Sequence, residues 1–157
     1  MSGKPELLAP AGDWEALVAA VENGADAVYL GGKLFNARHS AGNFENLELS
    51  RAVHFAHVRG VRVYVTVNTL LEHSEVKEAV RFLHFLYQCG ADAAIIQDLG
   101  LLRLARKAVP ELPLHASTQM TVHNLPALQL LKNAGISRVV LARELSLDAI
   151  REIVRSG

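Results

Sequence analysis

The chain has 157 residues, 50% hydrophobic and 20% charged, with 16 basic and 16 acidic side chains and a formal net charge of zero. That composition belongs to one folded globular domain and excludes intrinsic disorder; it offers no strong electrostatic footprint for nucleic acid, while leaving room for a local RNA contact. A single cysteine, Cys89, leaves no internal disulfide and no multi-cysteine metal or iron–sulfur site, and with no signal-peptide run and no stretch near the ~20 apolar residues of a membrane span, the expected setting is the cytoplasm, without cofactor or membrane partner.

Short apolar runs of strand length alternate with amphipathic stretches of helix length, the pattern of successive βα units around a parallel sheet. In chain order the strands are predicted at Glu6–Ala9, Ala27–Leu30, Val61–Val67, Ala93–Gln97, Leu114–Ser117 and Arg138–Ala142. The helices between and after them are predicted at Asp13–Glu22, Asn46–Arg59, Ser74–Cys89, Leu99–Ala108, Asn124–Asn133 and Ser146–Arg155. Asp13, Asn46, Ser74, Asp98, Asn124 and Ser146 stand where each helix needs an acceptor for its first-turn N–H groups. Gly24, Gly60, Gly90 and Gly135 stand where a helix ends in a left-handed residue before the next buried strand, giving a repeat visible at 23–30, 89–96 and 134–141.

A closed (βα)8 barrel takes about 250 residues and eight strands. Six units, with Gly157 where a seventh strand would begin, predict an α/β fold of the incomplete TIM type: residues 1–157 as a single domain and the first three quarters of a barrel. A complete open α/β sheet with its ligand at a topological switch point is the alternative. Strand order is expected to be sequential, and the outer strands, left unpaired, predict self-association through open sheet edges.

In the third strand Val61, Val63, Val65 and Val67 alternate with Arg62, Tyr64, Thr66 and Asn68. The valines are expected against the helices, and Tyr64, Thr66 and Asn68 inside the barrel with Asn68 at the C-terminal rim. The fifth strand repeats the pattern, with Leu114 and Ala116 outward and His115, Ser117 and Gln119 inward, and Glu6 belongs to the same polar interior. Polar inner faces on two strands suggest either a ligand-accessible cavity or an internally satisfied hydrogen-bond network.

Active sites of such folds lie on loops after the strands. The longest, residues 31–44, carries glycines, Arg38, His39 and the aromatics Phe35 and Phe44, a set suited to an anion or a planar ring, or to an ordered loop with no ligand. Pro10, Gly12, Gln97, Thr118, Gln119, Arg143 and Glu144 also fall on the rim, while Asp13, Asp98 and Ser146 read as caps, His54 and His57 as surface or packing residues, and Cys89 as a structural thiol. There is no His-Glu-x-x-His, no phosphate-loop, no Gly-x-Gly-x-x-Gly and no Gly-x-Ser-x-Gly motif. His115 and Ser117, two apart on one extended strand, are about 6.6–6.8 Å apart along the backbone, awkward for a nucleophile and its base.

The stretches Pro5–Gly12, Asn23–Gly31, Asn36-Ala37-Arg38, His115–Gln119 and Val140–Ser146, in this order through nearly the whole chain, resemble the N-terminal part of the peptidase U32 family, the collagenase-like proteins. The resemblance implies a TIM-barrel-like catalytic domain and, as its first reading, a collagenase-like peptidase acting on protein or peptide. Other members of the family serve oxygen-independent hydroxylation of ribosomal RNA, transfer RNA or the ubiquinone ring with an iron–sulfur cluster, whose signature cysteines follow the sixth unit. The chain lacks those cysteines, so a cluster is expected only in a longer parent protein and this chain alone is expected to be inactive. The second reading is therefore the substrate-binding part of a hydroxylation protein, and the third a non-catalytic module that binds a partner. Asn36, Arg38, Asn68, His115, Ser117, Gln119, Arg143 and Glu144 are the substrate-binding candidates, with no catalytic residue assigned.

Overall fold

The computed structural model describes residues 4–37 and 42–156. Its elements run β1 (Leu8–Pro10), α1 (Trp14–Glu22), β2 (Ala27–Gly31), α2 (Asn46–His57), β3 (Arg62–Val67), α3 (Val76–Gln88), β4 (Ala93–Ile96), α4 (Leu99–Ala108), β5 (Leu114–Ala116), α5 (Leu125–Asn133), β6 (Arg138–Val139) and α6 (Leu147–Ser156). The six strands form one parallel sheet in the order β1-β2-β3-β4-β5-β6. In a flat sheet the outer strands would lie roughly 24 Å apart. Arg138, opening β6, instead bonds Glu6, just before β1, so the sheet curls into an open barrel. The alternative of an open doubly wound sheet, with its reversed strand order, does not occur.

Alternation decides the two faces. Val63, Val65 and Val67 are buried together with Leu17, Leu49, Leu83, Leu86 and Leu101 in the layer between sheet and helices. Each such side chain contributes about 1.5–3 kcal/mol on burial. The inner face is a smaller cluster of Ala27, Tyr64, Ala93 and Ile95 with Leu8 and Tyr29 against it. Short side chains on β2 and β4 leave room inside the curl for the Tyr64 ring.

The helix-ending glycines behave as predicted, with φ between +74° and +90° at Gly24, Gly60, Gly90 and Gly135, a conformation that costs an L side chain about 1 kcal/mol or more. Side-chain caps form at Asp13, Asp98, Asn124 and Ser146. Two expected caps are corrected. Glu45, not Asn46, precedes α2 and exchanges bonds with the Glu48 turn in a capping box. Glu75, not Ser74, precedes α3, whose start has no side-chain cap.

The strand ends also differ, for identifiable reasons. β1 starts at Leu8 rather than Glu6 because Leu7 is held by Asp26, whose carboxylate accepts the Leu7 N–H at 2.7 Å. Val61 gives its N–H to Ala56 at the end of α2, and so joins the turn rather than the strand. β5 stops at Ala116 because Ser117 caps a 3-10 turn over Thr118–Met120. With its neighbour gone, β6 ends at Val139, and Leu141 and Ala142 pair with Thr118 and Val122 instead. Among the described residues no helix is long and apolar enough to cross a membrane.

Candidate functional site

At the C-terminal ends of the strands the curl opens into a cavity of about 330 Å³. Its side walls come from the β1–α1 turn (Pro10–Gly12) and the loop after β2, and its far wall from the 3-10 turn after β5 and the segment Val140–Arg143 after β6. The polar groups are linked. Thr66 Oγ1, on β3, donates to the Leu30 carbonyl at 3.1 Å or Asn36 Oδ1 at 3.2 Å, and Asn36 Nδ2 donates to Asn43 Oδ1 at 2.6 Å. Asn68, one residue past β3, accepts the Ala37 N–H at 3.1 Å and donates to Ser117 Oγ at 3.4 Å, which also accepts the Gln119 N–H at 3.2 Å. These amides and hydroxyls hold one another in place, so the wall is preorganised. Gln119 and Arg143, both exposed, line the same cavity, and neither side chain bonds another described residue.

The loop after β2 depends on two close approaches. A Cβ at Gly31 would stand 2.2 Å from Asn36 Nδ2, so only glycine lets Asn36 tuck against β2. Asn43 takes a left-handed φ of +49°, and its N–H bonds the Gly12 carbonyl at 2.9 Å, drawing the loop over the β1–α1 turn. Asparagine tolerates that conformation better than most side chains.

Asn36, Asn68, Ser117, Gln119 and Arg143 therefore meet at one cavity, while Glu144 is exposed and outside its lining. Gln119 arrives there from the 3-10 turn and not, as strand alternation predicts, from the inner face of a longer β5. Arg38 and His39 lie outside the described residues. The expectation that Phe35 and Phe44 offer a ring to a ligand is corrected: both are buried in the outer core, Phe35 against Phe82 with centroids 6.2 Å apart. Asn43 and Tyr29 line the cavity without having been singled out; the Gly42-Asn43 pair, a common carrier of left-handed backbone, was the available signal for the first.

His115 does point inward, but to the floor of the barrel and not to the cavity. Its ring meets Tyr64 edge-on with centroids 4.8 Å apart. The Tyr64 hydroxyl donates to Glu6, and Glu6 pairs with both Arg138 and Arg62. Burial alone would raise the Glu6 carboxyl, but its bonds to Arg138 and Tyr64 and the two guanidinium charges hold it below the usual carboxylate value. Burial, and then the Arg138 charge, push His115 down to about 4, so the imidazole is neutral at pH 7.

Among the described residues the cavity lining carries no carboxylate, imidazole or thiol, and Arg143 is the one charged side chain. Ser117 Oγ accepts from amides, and no described residue stands beside it as a base to activate it as a nucleophile. A thiolate-ligated iron–sulfur cluster needs about four cysteines. The one cysteine here, Cys89, closes the far end of α3, half-buried, donating to the Leu86 carbonyl, its thiol pushed up by burial. Such a cluster does not fit these residues.

Comparison with known proteins agrees with this architecture. The family model for Peptidase family U32 matches residues 12–157. The chain is 44% identical over 152 residues to a 23S rRNA 5-hydroxycytidine synthase of Escherichia coli (strain K12), covering 97% of this chain and 23% of that protein. It is 39% identical over 150 residues to tRNA hydroxylation protein P1 of Bacillus subtilis (strain 168), covering 96% of this chain and 36% of that protein. The chain thus spans well under half the length of these relatives. Among solved structures, a U32 peptidase superposes with a TM-score of 0.69 at 15% identity, over 97% of this chain and 66% of that one, a likeness of fold.

Proposed function

The chain belongs to peptidase family U32, and from that premise we propose that its barrel segment is the substrate-holding part of an RNA-hydroxylation protein, its rim cavity taking one unstacked pyrimidine of a structured RNA. The observation that carries the reading is the character of the lining, amides and hydroxyls fixed by their own bonds, with no acid–base side chain among the described residues. Amide groups match the donor and acceptor edges of a heterocycle, and enzymes that act on a paired base take it out of the stack into such a pocket. A volume of about 330 Å³ is at the lower end of ligand pockets and suits a single nucleoside better than a length of polypeptide. The names of the two relatives above, each an RNA-modification protein, support the same choice. Peptide hydrolysis, the first expectation from the family resemblance, gets no support from the described residues of the cavity, among which no nucleophile is paired with a base.

Within this reading the pinned groups, Asn36, Thr66, Asn68 and Ser117, shape the pocket. Gln119 reads the base edge with its side-chain amide, and Arg143 meets a phosphate. The oxygen-transfer step is not assigned to residues of this chain.

The test is nucleoside mass spectrometry on ribosomal and transfer RNA from cells with the gene deleted. One hydroxylated pyrimidine nucleoside is expected to disappear, to return with the intact gene, and to stay absent with a copy carrying Asn68→Ala and Gln119→Ala. An unchanged nucleoside profile in the deletion strain, with a peptide-cleaving activity lost instead, would overturn the reading in favour of the peptidase.

A further inference from the structure

Beside the rim cavity lies a second cleft of about 480 Å³, walled by Asp13, Trp14, Asn43, Phe44, Glu48 and Arg51. Asn43 lines both spaces, so they adjoin at that residue. There the loop after β2 crosses the β1–α1 turn closely: a Cβ at Gly42 would come within 3.2 Å of Asp13 Cβ and 3.4 Å of the Gly12 carbonyl.

Trp14 is the chain's only tryptophan. It opens α1 with 42% of its surface exposed, and is steadied rather than covered, its ring tilted 54° on Phe55 at a centroid distance of 5.5 Å. The Arg59 guanidinium lies over Phe55 at 3.8 Å, so Phe55 is fixed in turn. Arg51, one turn before Phe55 on α2, bonds no other described residue. The two carboxylates of the cleft each have one oxygen engaged in capping: Asp13 Oδ1 with the Ala16 N–H, and Glu48 Oε2 with the Glu45 N–H. The second oxygen of each carboxylate bonds no other described residue and can accept a hydroxyl. An exposed indole held at a fixed angle, acceptors for hydroxyl donors and one guanidinium form a set suited to a ribonucleotide: stacking for the base, carboxylate for the 2′-hydroxyl, guanidinium for a phosphate.

We propose that this cleft is a second nucleotide subsite, taking the ribonucleotide adjacent to the one in the rim cavity by stacking its base on Trp14. The inference rests on the RNA reading of the rim cavity. With two carboxylates against one guanidinium, binding here comes from stacking and hydroxyl contacts, so it depends weakly on salt and favours RNA over DNA of the same sequence.

The experiment titrates the chain with a single-stranded RNA oligonucleotide, following Trp14 fluorescence and the anisotropy of a label on the RNA together. Both signals are expected to saturate at the same concentration. Trp14→Ala should weaken binding about 5- to 150-fold, and Trp14→Phe much less. An oligonucleotide with an abasic site next to the target should bind the unaltered chain more weakly by a similar factor, and bind Trp14→Ala no more weakly still, which gives a readout needing no variant. RNA binding by anisotropy with unchanged fluorescence and no effect of the abasic site would overturn the subsite while leaving the rim reading intact. Equal quenching by heparin, which has no bases, would also overturn it. Absence of any RNA binding would overturn both.

Discussion

At the floor of the barrel interior Glu6 lies between two guanidinium groups and under the Tyr64 hydroxyl, whereas at the rim Thr66, Asn36 and Asn43, and beside them Asn68 and Ser117, form two sets of neutral donors and acceptors. Both regions are polar, and alternation along β3 and β5 supplies both. The difference is in what is left over. On the floor the one carboxylate is paired with both guanidinium groups, and the bond between Arg138 and Glu6 joins residues 132 apart in sequence, holding β6 to β1. At the rim two side chains, Gln119 and Arg143, remain exposed over a cavity. In barrels of this kind the N-terminal end of the strands carries stability and the C-terminal end chemistry. The floor is therefore expected to respond to mutation in melting and the rim in binding.

The largest expected effect is Tyr64→Ala. It removes a buried ring from the inner cluster, its contact with His115 and its hydroxyl bonds to Glu6. A loss of about 3–5 kcal/mol in unfolding free energy is expected, measured by urea denaturation followed by circular dichroism. A loss below about 1 kcal/mol would mean that the floor is not what holds the curl, and would break the comparison at its first term.

Next comes pH. His115 titrates at about 4 in the fold against an ordinary value of 6.5, so between those values the unfolded chain binds a proton that the folded one does not. Stability therefore rises with pH across that window, is full above about 6.5, and is lost as pH falls toward 4. The contribution is up to about 3 kcal/mol. Glu6 acts in the same sense lower down: with its folded value depressed below 4.5, its contribution is present above 4.5 and disappears as pH falls through the folded value. His115→Gln should flatten the upper part of the curve and leave the lower part, when denaturation midpoints are compared across the range. A wild-type curve already flat between pH 6.5 and 4.5 would mean that the ring is solvated and that the floor is open to water.

Much of this was legible in the sequence because it follows from local rules. The glycines at 24, 60, 90 and 135 had to be left-handed, and the valines of β3 had to face the helices once one face of the strand was polar. Alternation gives Thr66, Asn68, His115 and Ser117 their inward direction but not their height, so His115 stands among the substrate-binding candidates although it belongs to the floor. The Glu6–Arg138 contact depends on how far the sheet curls, a property of the whole sheet. The 3-10 turn after β5 has no strong local signal, and it moves Gln119 off the strand. Phe35 and Phe44, in a long loop, leave both a ligand-facing and a packed reading open, and the packed one holds for them because burial of an aromatic outweighs its presentation to solvent.

The smallest effect on stability, and the one that most sharpens the contrast, is expected from Gln119→Ala with Arg143→Ala. Neither side chain bonds another described residue, and the Gln119 bond to Ser117 Oγ comes from the backbone N–H, which alanine keeps. Exposed substitutions of this kind change unfolding free energy by about 0.5 kcal/mol or less. If Gln119 reads a base edge and Arg143 a phosphate, each loss removes one hydrogen bond to the ligand, and a bond to a charged group is worth about 1.5–3 kcal/mol, so the affinity of the double variant for RNA should fall at least about tenfold. Anisotropy with labelled RNA and a melting curve on the same preparation give both numbers. A melting point unchanged within error with a tenfold loss of affinity is the expected pair. Unchanged affinity would remove Gln119 and Arg143 from the site and leave the pinned amides as its only recognition surface, while a drop in stability comparable to that of Tyr64→Ala would show that the rim, too, is structural.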